Sequence, residues 1–142
     1  MISPAILFRM GYHATGPTMR RFQFFTIRYV PNIVTGEFVN IGVVLFDPSG
    51  GFCGVRFASD WGKVQGFDPD VDIQMLEALC RDIEAHFRGG KGEEILRTME
   101  DSFSDAVQLS PGTVYLADEP GKEIEKLASQ HLGKSKHTKA LE

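Results

Sequence analysis

Cysteine is scarce in this chain. Its 142 residues include only Cys53 and Cys80, and no CxxC pair. A zinc ribbon and a thioredoxin-like redox motif are therefore excluded. The two thiols read as small hydrophobes of a reduced, cytoplasmic protein. Positive charge is short as well: 15 Lys and Arg stand against 19 Asp and Glu, for a net charge of −4. A domain that binds duplex nucleic acid is expected to be basic, so nucleic acid is not an expected partner. No apolar run approaches the ~18 residues that a spanning helix needs, and no membrane association is expected. The histidines His13, His86, His131 and His137 fall in no HExxH or other close ligand spacing. No metal and no cofactor is expected. A GxSxG nucleophile elbow and a glycine-rich phosphate loop are also missing. What remains is a chain with 42% apolar and 24% charged residues, the composition of a globular protein.

Residues 1–18 contain Pro4, Gly11, Gly16 and Pro17 and no sustained period. The apolar stretch from Ala5 to Phe8 is shorter than the core of a signal peptide, about 7–15 residues. The expectation is a disordered leader or a mis-assigned start, with translation beginning at Met19. Residues 19–133 are then expected to form one α+β domain, and 134–142 a flexible polar tail.

Phe22 to Val30 reads as a first strand, with Phe25, Ile27 and Tyr29 on one side and Phe24, Thr26 and Arg28 on the other. Pro31 ends it. A second strand, about Phe38 to Asp47, alternates strictly. Val39, Ile41, Val43 and Leu45 share one face; Phe38, Asn40, Gly42, Val44 and Phe46 share the other. The run Pro48-Ser49-Gly50-Gly51 predicts a turn, and Phe52 to Phe57 a third strand. Short connections make these an antiparallel meander. Asp68 and Pro69 then read as the N-cap and first residue of a helix that reaches Phe87. Its stripe of Leu76, Leu79, Cys80, Ile83 and Phe87 is expected to cover the Val39/Ile41/Val43/Leu45 face. Glu93 to Phe103 reads as a shorter helix, Ala106 to Ser110 as a later strand, and Thr113 to Leu116 as a short β-rich segment. A last helix from about Asp118 carries Ile124, Leu127, Ala128, His131 and Leu132. Strands first and helices after predict an α+β fold, an antiparallel sheet packed with C-terminal helices.

A carboxamide and a glycine between large apolar groups are not what packing alone selects. Overlaying the strands puts Thr26, Arg28, Asn40, Gly42 and Arg56 on one face, ringed by Phe24, Phe38 and Phe52. Arginine forks match carboxylate or phosphate, and glycine lets a ligand approach the backbone. Glu37, at the start of the second strand, is the candidate acid or base; Asp47, at its far end, is too distant to form a dyad with it. A simpler reading pairs Arg28 and Arg56 with acids of the C-terminal half and uses Asn40 to satisfy a buried backbone group. Trp61 either pins its loop to the sheet edge or offers an anchor to a partner. The candidate ligand or partner surface is thus Arg28, Glu37, Asn40, Gly42, Arg56 and Trp61, with no catalytic residue assigned.

Tyr29-x-Pro31 followed by Gly36-Glu37-Phe38-x-Asn40-Ile41-Gly42-Val43-Val44-Leu45 resembles a bacterial domain family of unknown function, DUF3037. The segments Asp68-Pro69-Asp70, Val107-Gln108-Leu109-Ser110-Pro111 and Asp118-Glu119-Pro120 extend the resemblance over roughly Arg20 to Leu132. The family brings no established activity. Its members often neighbour genes for HipA-type kinase-like proteins, which implies a partnership. The expected function is a non-catalytic accessory or protein-interaction module, with a HipA-type kinase-like protein as the implied partner. The alternatives are a small anion-binding or phosphate-handling enzyme on the exposed sheet face and, with less support, a single-stranded nucleic-acid binder on an aromatic platform.

Overall fold

The computed structural model describes residues 19–50, 52–102 and 106–133. The expected leader, the expected tail and Phe103 lie outside them. Five strands form one antiparallel sheet: β1 (Arg20–Tyr29), β2 (Val39–Phe46), β3 (Cys53–Phe57), β4 (Val107–Leu109) and β5 (Thr113–Ala117). The helices are α1 (Gly62–Phe67), α2 (Ile73–Arg88), α3 (Gly92–Ser102) and α4 (Pro120–Leu132). The fold is α+β, as the order of strands and helices predicts.

The strand order is β3-β2-β1-β4, with β5 also on β1. β2 takes one edge of β1. β4 and β5 share the other, β4 along Ile27–Tyr29 and β5 along Arg20–Phe24. The turn between β2 and β3 follows from Asp47, whose carboxylate accepts the Ser49 N–H at 2.9 Å and the Ser49 hydroxyl at 2.7 Å. Gly50, at φ +96°, supplies the left-handed residue that this turn needs.

β2 departs from the strict alternation that its sequence predicts. Ile27 pairs with Gly42, but Arg28 pairs with Asn40, so Ile41 is an extra residue in a β-bulge. The bulge reverses the facing of one end of β2 relative to the other. Val43 and Leu45 therefore lie with Phe22, Ala117 and α4 residues Ile124 and Leu127. Ile41 and Val44 lie on the opposite face with Phe25, Ile27, Tyr29 and α2 residues Leu76, Cys80 and Ile83. Val39 and Phe46 pack against this second group, which also takes in Ile95, Leu96 and Met99 of α3. The expected division of β2 is corrected accordingly: the long helix does not cover Val43 and Leu45, and Val44 and Phe46 are core. Helices cover both faces of the sheet.

The long helix also starts later than Asp68. Asp72 caps α2, its side chain accepting the Met75 N–H at 3.0 Å. Asp68 instead ends α1, a short helix that the sequence reading leaves as a loop, and accepts the Tyr29 hydroxyl at 2.7 Å. Both aspartates suit an N-cap locally; the contact with Tyr29 decides between them. Asp72→Ala should cost about 1 kcal/mol and speed hydrogen exchange at Met75. Asp68→Ala should remove a hydrogen bond worth about 0.5–1.5 kcal/mol and leave that amide's protection unchanged. Faster exchange at Met75 in Asp68→Ala would return the cap to Asp68.

Candidate functional site

The bulge determines which side chain faces Arg28. With an unbroken register, Ile41 would stand opposite; the extra residue puts Asn40 there and turns Ile41 into the core. Bulges re-aim side chains in this way beside functional sites. Thr26 and Arg28 lie two residues apart on β1 and share a face. Ser110, which follows β4, holds the backbone of Thr26 by donating its N–H to the Thr26 carbonyl at 2.8 Å and accepting the Thr26 N–H on its Oγ at 2.8 Å.

Thr26, Arg28 and Asn40 form a contiguous polar cluster, and each contains a buried atom without a hydrogen-bond partner: Thr26 Oγ1, Arg28 Nε and Asn40 Oδ1. Such an atom costs about 1–3 kcal/mol against a satisfied one. Native structures contain few of them, so three at adjacent positions call for a reason. The Arg28 guanidinium stacks on the Phe38 ring, 4.0 Å from its centroid. Cation–π attraction holds the plane of the guanidinium but leaves its N–H edges for other acceptors. Among the described residues no carboxylate pairs with Arg28, whereas Arg20, Arg56, Arg97 and Lys122 each have one.

The six candidate residues are not all brought together. Arg28 and Asn40 are direct cross-strand partners. Arg56 stands opposite Val43 on the same face, but its Nε donates to Glu125 of α4 at 2.6 Å and its Nη1 to the Val55 carbonyl at 2.8 Å. That ion pair is solvent-exposed and adds little to stability. Gly42 pairs with Ile27 and Phe57 on the opposite face. Glu37 is exposed in the loop before β2. Trp61 packs, half-buried, against the α2-side core. Thr26 and Phe38 appear in the strand overlay but not among the six candidates. The signal for both was present: a threonine in step with Arg28 on β1, and an aromatic two residues before Asn40.

Reactive chemistry lies elsewhere or is suppressed. Burial, reinforced by Glu93, pushes the Cys53 thiol up to about 11. Burial, then Glu84 and Glu77 against a smaller opposing effect of Arg81, pushes Cys80 up to about 12. Neither is a thiolate at neutral pH, so neither is an activated nucleophile. The Tyr29 and Tyr115 phenols are raised to about 12 by burial and by donation to Asp68 and Glu123. Among the described residues, no group of three His, Cys, Asp or Glu side chains is placed to hold a metal ion. No helix among them is long and apolar enough to cross a membrane.

No curated protein and no solved structure matches the chain. A family model does, and its match runs from Phe24 within β1 through α4, taking in Thr26, Arg28, Asn40 and the four helices among the described residues. On that match over residues 24–132, the chain belongs to DUF3037, a family described as protein of unknown function.

Proposed function

We propose that this protein is a bacterial, cytoplasmic binding module rather than a catalyst, and that it meets its partner at the Thr26/Arg28/Asn40 cluster. The observation that carries this reading is the trio of buried, unpartnered polar atoms on one sheet face. A partner that hydrogen-bonds to them recovers the free energy the free protein forgoes. No carboxylate or imidazole among the described residues hydrogen-bonds to these three side chains, so the cluster has donors and acceptors but no group poised to move a proton. Glu37, the candidate acid or base, stands exposed in the loop. The two free thiols suit a reducing compartment. The HipA-type kinase-like protein implied by the family resemblance is the first partner to test.

The experiment is native mass spectrometry of the full chain purified from its own host, as wild type and as Arg28→Ala. A stoichiometric partner on the wild type, lost from a variant whose circular-dichroism melting curve is unchanged within a few degrees, is the expected result. A partner retained by Arg28→Ala, or a wild-type protein that carries none, would overturn the reading.

A further inference from the structure

We infer that the group received by this cluster is an oxoanion, a carboxylate or a phosphate monoester, seated on the Nε–H edge of Arg28 between Thr26 and Asn40. This rests on the reading above and names the chemistry of its ligand.

The charge of Arg28 is the first reason. The chain has more acids than bases, 19 against 15. On the same sheet face, Arg56 has drawn Glu125 from α4. Arg28 has drawn no acid among the described residues, although its Nε is shut off from solvent; Arg28 and Asn40 are themselves only half-buried, so their side chains meet the anion by turning their inner edges outward. A buried cationic donor is best matched by an anionic acceptor, since charge-assisted hydrogen bonds are about twice as strong as neutral ones. The Phe38 ring occupies one face of the guanidinium and leaves the in-plane donors to the ligand.

The neighbours supply the second reason. Thr26 is only 6% exposed, and its hydroxyl, which can donate, lacks a partner. Its Cα stands about 7 Å along β1 from that of Arg28. Asn40 stands about 5 Å away across the strands. Rotation of the Asn40 carboxamide exchanges Oδ1 for the NH2 group at nearly the same position, so its buried end can turn a donor toward an anion. Three donors from adjacent positions then converge on one small group. An aspartate at position 40 would instead fill the site with the protein's own carboxylate; the chain carries the neutral amide of the same shape.

The test follows the Arg28 Nε–Hε cross-peak of the full chain by NMR, titrated separately with inorganic phosphate and with acetate, using chloride at matched ionic strength as control. A saturable shift with either anion, absent with chloride, is expected. Saturation below about 1 mM identifies a free small anion as the ligand. Saturation only above about 10 mM identifies a group carried by a partner, whose other contacts supply the remaining affinity. Asn40→Asp should weaken the titration at least ~10-fold, as expected when a like charge meets the ligand, and raise the thermal midpoint, because the new carboxylate pairs with Arg28 internally. Arg28→Lys keeps the charge but loses the planar fork; read from the backbone amide shifts of Thr26 and Asn40, for which wild type is titrated in parallel, it should bind more weakly while the fold persists. No saturable shift with either anion, or an Asn40→Asp variant that binds as tightly as wild type, would overturn the inference. The two readings fail separately. If Arg28→Ala loses its partner while no anion moves the Nε–Hε peak, the module stands and the oxoanion falls. If the anions bind while Arg28→Ala keeps its partner, the anion site stands and the partner-docking role falls.

Discussion

Leu76→Ala should cost the fold about 2–5 kcal/mol, lowering the thermal midpoint by roughly 8–20 °C. Leu76 is fully buried on α2, one and two turns from Cys80 and Ile83, within the core formed by one face of the sheet. Truncation removes a buried isobutyl group and leaves a cavity that the other helices and strands of this core cannot all collapse into. Ile124→Ala on α4 should cost a similar amount for the same reason, in the other core. The two cores share no residue and lie on opposite faces of the sheet. Their losses should therefore add in the double variant to within about 0.5 kcal/mol. Urea titration of the two single variants and the double variant checks this. A double variant that loses much less than the sum would mean that the two cores are coupled through β2.

Gly42→Val should destabilise by about 1–3 kcal/mol. A Cβ at this position would stand 2.8 Å from two atoms of the Phe57 ring and 3.3 Å from the Arg56 carbonyl oxygen. The ring is packed against the α2-side core, so it cannot swing away freely. The clash falls at the bulge, where the register changes between Ile27 and Arg28. Phe57→Leu should restore part of the loss by opening room. Gly66→Ala is the control, because a Cβ there meets nothing within 4 Å, and it should be neutral or slightly stabilising. Thermal melting of the four proteins decides the matter; a Gly42→Val protein as stable as wild type would show that the Phe57 ring yields at no cost.

Much of the fold was legible in the chain. The two sides of β1 were assigned correctly, because no bulge interrupts β1 and its parity is a local property. The stripes of α2, α3 and α4 were legible because helical spacing is also local: Leu76, Cys80 and Ile83, then Ile95, Leu96 and Met99, then Ile124 and Leu127 are all buried. β5 was visible only as a short β-rich segment, since its five residues gain their order from pairing with the distant N-terminal half of β1.

The candidate site was half legible. The oddness of Asn40 and Gly42 within an apolar run singled out β2, but the two residues face opposite sides of the sheet. Nothing in the one-dimensional pattern marks Ile41 as the extra residue, because a bulge belongs to a pair of strands rather than to either alone. Arg28 and Arg56 read as equivalents in sequence. Only the docking of α4 separates them, bringing Glu125 to Arg56 and no carboxylate to Arg28.

By itself, then, the amino-acid order determined where the strands and the three longer helices fall, where the turns between the strands lie, and which side chains β1 and those helices bury. These depend on contacts between residues a few positions apart. The tertiary structure alone decided the register at the bulge, the choice of Asp72 over Asp68 as cap, the covering of both sheet faces and the isolation of Arg28. Each depends on a group on another element, a dozen or more residues away, and local periodicity carries no information about which distant group will arrive.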